Sequence, residues 1–233
     1  LTIGVVVFPG SNCDHDVLHV IQAVCGAEAR FLWHKEHDVA GIDALVLPGG
    51  FSYGDYLRPG AMARISPIMA EVARFAKAGR PVVGICNGFQ VLVEAGILPG
   101  ALVRNRDQRF ICRPVSLTVE TTDSPYTRGY ERGQVVTFPI AHADGNYQAD
   151  ADTLKRLEDA GRVAFRYAGP DGEDGEVFNP NGSVHRIAGL LGEHPNTIGL
   201  MPHPERCAED VLGGEDGRAF FAGLVAEAAG AAA

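Results

Sequence analysis

The sequence predicts an α/β fold, a doubly wound and mainly parallel sheet flanked by helices, with additional strands in its second half. Three observations predict it. The run Thr2 to Phe8 is a continuous apolar stretch rich in Val, and Ile42 to Leu47 and Pro81 to Ile85 are further mainly apolar runs, as strands covered on both faces are. Segments with apolar residues at helical spacing separate them. Each run stops at a turn that contains glycine.

In chain order, Thr2 to Phe8 is the first strand and ends at Pro9-Gly10. Asp14 to Gly26 carries Val17, Leu18, Val20, Ile21 and Val24 on a helical repeat, with Gly26 as its stop. Ala29 to Trp33 and Ile42 to Leu47 are the next strands, the latter halted by Pro48-Gly49-Gly50. Met62 to Ala78 is a helix with Ile65, Ile68, Met69, Val72 and Phe75 on one face. Pro81 to Ile85 is a strand that leads straight into Cys86-Asn87-Gly88 and an apolar helix. The second half reads as longer strands at Arg109 to Glu120 and Gln134 to Ala141, a short helix at Asp150 to Ala160, and a strand at Val163 to Tyr167. Polar turns at Gly169 to Gly175 and Phe178 to Gly182 follow, with strands at Ser183 to Leu191 and Asn196 to Met201. Ala219 to Ala229 closes the chain as a helix, and Ala231 to Ala233 is expected to fray. With no repeat and no linker, residues 1–233 read as one domain.

Composition removes several classes of function. Hydrophobic residues at 46% and charged residues at 21% are ordinary for a folded domain, so disorder is not expected. A net charge of −9 disfavours nonspecific binding to nucleic acid or to an anionic membrane. No apolar run has membrane-span length, and Leu1 to Phe8 lacks the basic flank and cleavage site of a signal peptide. The five cysteines (13, 25, 86, 112 and 207) are odd in number and form no C-x-x-C pair, so neither a disulfide framework nor a zinc ribbon is expected. A reducing, cytoplasmic setting follows, where a free thiol can be catalytic.

Open α/β sheets place their sites at the carboxyl ends of the strands. That rule selects the loops Pro9 to Asp16, Pro48 to Gly60 and Cys86 to Gln90. Gly84-Ile85-Cys86-Asn87-Gly88 lies between a buried strand and a helix, the context of a nucleophile elbow with Cys in place of Ser. The two glycines relieve crowding around a strained nucleophile, and the helix behind it favours thiolate. A buried packing cysteine is the alternative, which suits Cys25 and Cys112 better. A thiolate nucleophile needs a proton acceptor. Of eight histidines, His203 ends a strand within Pro202-His203-Pro204-Glu205, where the prolines restrict it and Glu205 can fix its tautomer. A metal site of His203, Glu205 and Cys207 is the weakest reading, since no further ligand follows, and none is expected. The amides at Pro48-Gly49-Gly50 and at Asn87 can together form an oxyanion hole.

Together, Pro48-Gly49-Gly50, Gly84 to Gln90 and His203-Pro204-Glu205 resemble the class I (triad) glutamine amidotransferases over nearly the whole chain. The resemblance implies Cys86 as nucleophile, His203 as base and then acid, and Glu205 as orienter. It implies Gly50 and Asn87 in the oxyanion hole, and Gly49 and Gln90 in substrate binding. More narrowly, Gly10 to Asp16, Phe51 to Gly60, Ala141 to Asn146 and Asn179 to Ser183 are similar to the glutaminase-subunit family of phosphoribosylformylglycinamidine synthases. That implies L-glutamine as substrate and ammonia delivered to a large synthase subunit (PurL type), together with a small bridging subunit (PurS type). No cofactor is expected in this chain. It has no G-x-x-x-x-G-K-[ST] string, so ATP and Mg are expected on the synthase. Rival readings are an amidotransferase of another pathway, a Cys-elbow stress or peptidase-like protein, and a non-catalytic module. The loop Phe51 to Gly60 either docks the synthase, covers the glutamine site, or packs on its own domain.

Overall fold

In the computed structural model, a nine-stranded sheet is built from two stretches of opposite character. Residues 1–231 are described; Ala232 and Ala233, and with them most of the tail expected to fray, lie outside the described residues. The first stretch is parallel. It contains β1 (Thr2–Val7), β2 (Glu28–Trp33), β3 (Ala44–Leu47), β4 (Val82–Ile85) and β11 (Thr197–Leu200), in the order β2-β1-β3-β4-β11. All four of its pairings are parallel. The second stretch continues from β11 through β10 (Ile187–Leu191), β9 (Val163–Ala168), β6 (Ile111–Val119) and β7 (Val135–His142), each antiparallel to its neighbour. A separate ribbon pairs β5 (Ala101–Val103) with β8 (Asn146–Gln148). The sequence does not announce this ribbon, because three-residue strands carry too little periodicity to register.

Helices cover the parallel stretch. Strands β3 and β4 are buried at every residue, as their continuous apolar runs require. Helix α2 (Ile68–Lys77) turns Ile68, Met69, Val72 and Phe75 inward. It begins later than the pattern predicts, because Ser66 precedes Pro67 and is extended; a separate short 3₁₀ turn occupies Ala63–Ile65. Helix α1 (Asp14–His19) passes into a π turn at Val20–Val24. Helix α3 (Asn87–Glu94) is buried at seven successive residues, Asn87 to Val93. Helix α4 (Ala151–Asp159) starts at Asp150, whose carboxylate accepts the Thr153 amide at 2.7 Å. Helix α5 (Arg218–Ala231) packs Phe220, Phe221, Leu224 and Ala228 into the core. Strand β10 begins four residues after the predicted start at Ser183, since Val184–Arg186 forms a 3₁₀ turn with His185 at φ 50°. Cys112 is exposed rather than a packing residue, because the amino-terminal end of β6 runs out into solvent.

Strand order sets the position of the site. β1 has β2 on one side and β3 on the other, so the chain leaves β1 in opposite directions across the sheet. A crevice opens at the carboxyl ends of such strands. There, the amides of Asn12 and Cys13 after β1 both donate to the Gly49 carbonyl after β3, at 3.4 and 3.2 Å.

Candidate active site

Cys86 is the residue between β4 and α3, with φ 50° and ψ −105°. For a residue with a side chain this is a strained conformation, held by what surrounds it. A β-carbon on Gly84 would stand 2.8 Å from the Gly88 carbonyl, and one on Gly88 would collide with the Leu47 carbonyl oxygen. The elbow therefore closes only with both glycines. Cys86 is buried, and its Sγ lies 3.7 Å from the Ala141 carbonyl oxygen at the end of β7. The sulfur stands at the amino terminus of α3, whose first-turn amides lack intrahelical acceptors and favour a negative charge.

His203 follows β11, and its backbone amide donates to the Pro139 carbonyl of β7 at 2.8 Å. Its Nδ1 is 2.6 Å from Glu205 Oε1, and both side chains are buried. That contact leaves Nε2 as the nitrogen available for chemistry. Among the described residues neither Nε2 nor Glu205 Oε2 has a hydrogen-bond partner. Burial alone would lower the His203 pKa. The Glu205 carboxylate and the thiols of Cys86 and Cys13 outweigh it and hold the imidazole well above the ordinary histidine range.

Gly49 is where these groups meet. A β-carbon there would stand 2.7 Å from His203 Cε1, 3.0 Å from Cys13 Sγ and 3.4 Å from Cys86 Cβ. The imidazole and the two cysteines thus converge on one point that only a glycine leaves free. Gly50, at φ 142°, packs its backbone against Ser11 and Asn12 and forms a bridge with Ser11.

Asn87 and Gln90 are both buried. Asn87 Nδ2 donates to Gln90 Oε1 at 2.9 Å, and Gln90 Nε2 donates to the Asp144 carbonyl at 2.7 Å. Asn87 Oδ1 accepts the Ser52 amide at 3.1 Å, which ties the 51–60 loop to the elbow. Arg58 grips Glu94 of α3 through two bonds, at 2.6 and 2.7 Å. Between these anchors Tyr53, Asp55 and Leu57 all have positive φ, and Tyr56 and Leu57 are exposed. Burial, then the charge of Asp144, raises the Asp55 carboxyl to about 6, against the opposing pull of Arg104.

Sequence reasoning did not single out Cys13, Asp16 or Arg206. Arg206 Nη2 donates to Cys13 Sγ at 3.1 Å, and its Nε donates to Asp16 Oδ2 at 3.1 Å. Among the described residues, Cys13, His203 and Glu205 offer ligand-type atoms within 4.8 Å of one another. Cys207, the cysteine weighed beside His203 from sequence, instead packs near Gly214. The signal for Cys13 was present: it lies in the loop after β1 that the strand-end rule selects. The strings 141–146 and 179–183 also interlock. Asn181 Nδ2 donates to the Gly145 carbonyl at 2.8 Å, and Asn105 Oδ1 accepts from the Gly145 amide at 3.0 Å and lies 3.1 Å from His142 Nδ1. Burial, then the charge of His203, lowers the His142 pKa to about 4.

Residues 1–214 match the family model of the CobB/CobQ-like glutamine amidotransferase domain. The phosphoribosylformylglycinamidine synthase subunit PurQ of Salinibacter ruber is 56% identical over 222 residues, covering 95% of this chain and 94% of that protein. Its counterpart from Gloeobacter violaceus is 57% identical over 224 residues, covering 96% of this chain and 97% of that protein. Among solved structures, a chain of PurLQS from Thermotoga maritima superposes with a TM-score of 0.85 at 42% identity, covering 97% of each chain. The glutaminase domain of Trypanosoma brucei CTPS, at 15% identity and a TM-score of 0.61, shares the fold.

Proposed function

The chain belongs to the CobB/CobQ-like glutamine amidotransferase domain family, and from that premise we infer its function: it is the glutaminase subunit of a phosphoribosylformylglycinamidine synthase. It hydrolyses L-glutamine and delivers ammonia to a large PurL-type synthase subunit, in an assembly with a small PurS-type subunit. The observation that carries the residue assignment is the convergence at Gly49 of a strained elbow cysteine and a glutamate-anchored histidine.

In this reading the Cys86 thiolate attacks the side-chain carbonyl carbon of glutamine. The carbonyl oxygen becomes an oxyanion that takes hydrogen bonds from the Gly50 and Asn87 amides. His203, protonated at Nε2, gives its proton to the departing nitrogen, which leaves as ammonia, and a glutamyl thioester remains on Cys86. Water then attacks the thioester while the same nitrogen takes its proton, which releases glutamate. Glu205 accepts from Nδ1–H throughout and fixes the tautomer. Gly49 leaves room for the imidazole and thiol beside the substrate. Gln90 orders the 144 segment at the glutamine site. Ammonia in water at neutral pH is mostly ammonium, which is no nucleophile, so a sealed passage to the synthase preserves its reactivity. ATP and Mg act on the synthase subunit, and this chain needs no cofactor for its own half of the reaction. The exposed tip Tyr56-Leu57, on a loop anchored at both ends, is the part of the 51–60 segment placed to dock the synthase. Among the described residues no helix is long and apolar enough to cross a membrane. With reduced cysteines and a purine-biosynthetic partner, we place the protein in the cytoplasm.

Glutaminase assays of the chain alone and with its synthase partners test this. Turnover should be low alone and strongly stimulated in the complex; equal turnover in both states contradicts the coupling. In the complex, Cys86→Ser should remove glutamine-dependent synthesis, by roughly 10⁴-fold, and leave ammonia-dependent synthesis. Loss of both would assign Cys86 a structural role.

A further inference from the structure

Cys13 is the buried thiol beside the proposed nucleophile that the amidotransferase chemistry does not use. Its position is fixed on three sides. Its backbone amide donates to the Gly49 carbonyl at 3.2 Å, its Sγ lies 3.2 Å from Asn12 Oδ1, and Arg206 Nη2 donates to the sulfur at 3.1 Å. Across the glycine at residue 49, Cys13 Sγ and Cys86 Cβ approach the same point, at 3.0 and 3.4 Å. The His203 ring reaches the same point, its Cε1 at 2.7 Å, so both cysteines border one imidazole. The other three cysteines lack this arrangement: Cys112 is exposed on β6, Cys25 follows the π turn after α1, and Cys207 faces Gly214.

The two thiols have complementary chemistry. Cys86 stands at the elbow as the proposed nucleophile, so an oxidant that enters the glutamine site meets it there. Burial holds the Cys13 thiol up, against the opposing pull of His203 and Arg206, so it rests protonated. A protonated neighbour does not compete for oxidant, yet it can attack once its partner is oxidised and its own proton has a destination.

We propose that Cys13 is a resolving thiol for Cys86: hydrogen peroxide or a related hydroperoxide oxidises Cys86, and Cys13 converts the product to an intramolecular Cys13–Cys86 disulfide. In the first step the Cys86 sulfur gives its proton to His203 and attacks one peroxide oxygen; the O–O bond breaks, and the leaving hydroxide takes that proton back from His203, giving Cys86–SOH and water. In the second, the Cys13 sulfur attacks the Cys86 sulfur, the S–O bond breaks, and the departing hydroxide takes the proton from Cys13 through His203. Two thiols and one peroxide become one disulfide and two waters. The disulfide occupies the nucleophile, so turnover stops. It also prevents further oxidation of Cys86 to the sulfinic acid, which thiols do not reduce. The protein thereby gains a reversible off state.

The inference rests on Cys86 as the reactive thiol, and peptide mass maps separate the two ideas. The assembled synthase complex is treated with hydrogen peroxide, blocked with iodoacetamide and digested without reductant. The expected result is a cross-linked pair of peptides carrying Cys13 and Cys86, with glutaminase activity returning on dithiothreitol. In Cys13→Ser the fraction of each sample's own starting activity recovered by dithiothreitol should fall by about tenfold, and Cys86 should appear as sulfinic acid. Oxidised Cys86 without the cross-link in the wild-type complex overturns the proposal and leaves the nucleophile assignment standing. Cys86 untouched by peroxide overturns both. If Cys13→Ser does not fold, the wild-type map alone decides.

Discussion

In the parallel half of the sheet, the strands β1, β3, β4 and β11 end at loops that carry Cys13, Gly49 and Gly50, Cys86 and His203. In the antiparallel half, β7 meets the same site through backbone oxygens, Ala141 beside the sulfur and Pro139 beneath the His203 amide. Behind β7 stands a network of Asn105, His142, Asn181 and Ser183 that fixes the 141–146 segment. The reacting side chains thus belong to one half and their backing to the other. Parallel strands, all pointing the same way, bring several loops to one edge, and reactive side chains gather there. An antiparallel strand beside them lends carbonyls at fixed height without adding a reactive group.

That division predicts graded effects. The largest falls on the parallel half. Glu205→Gln keeps the shape but removes the charge that fixes the His203 tautomer, and kcat for glutamine should drop roughly 10²–10⁴-fold. The same variant changes the pH dependence of stability. The folded His203 pKa is raised, so its contribution is full below the unfolded value of about 6.5 and is lost as pH rises through the higher folded value. Denaturant melts across that range should show this loss in the wild type and a flatter profile in Glu205→Gln. A profile identical in both would break the link between Glu205 and the imidazole.

An intermediate effect belongs to Gly49→Ala. The added methyl would meet a histidine ring held by Glu205, so the ring cannot swing away at little cost. Overpacking should cost about 1–3 kcal/mol of stability. The displaced imidazole should lower kcat by on the order of 10²-fold. Unchanged kcat with lowered stability would assign Gly49 to packing alone.

The smallest catalytic effect belongs to the antiparallel half, where the readout is stability in acid. The buried His142 titrates at about 4. A depressed folded pKa gives stability that is present above the unfolded value near 6.5 and lost as pH falls toward 4, roughly 3 kcal/mol in all. His142→Gln should flatten that acid slope in urea melts, while kcat at neutral pH changes only severalfold. A kcat loss as large as that of Glu205→Gln would erase the distinction between the halves.

The sequence made one half far more legible than the other. Continuous apolar strands and the glycine-flanked Cys86 announce the parallel half, because both features follow from local sterics. Pro202-His203-Pro204-Glu205 announces its histidine for the same reason. The contributions of Ala141 and Pro139 could not be read, since a backbone carbonyl has no residue signature. The buried state of Gln90 was hidden because α3 is covered on all sides, which a helical repeat of mixed residues does not reveal. Cys13 lay within a distinctive string, yet only the approach of the β1 and β3 loops places it beside His203.

The central claim is that the parallel half delivers one sulfur and one imidazole for covalent catalysis on glutamine. Acid quench of the assembled complex during turnover, followed by peptide mass mapping, tests it most directly. A glutamyl adduct on the peptide bearing Cys86, which disappears when the sample is chased with buffer before quenching, is the predicted result. Turnover with an adduct on Cys13 or Cys207 instead, or with no adduct on any cysteine at saturating glutamine, would contradict it.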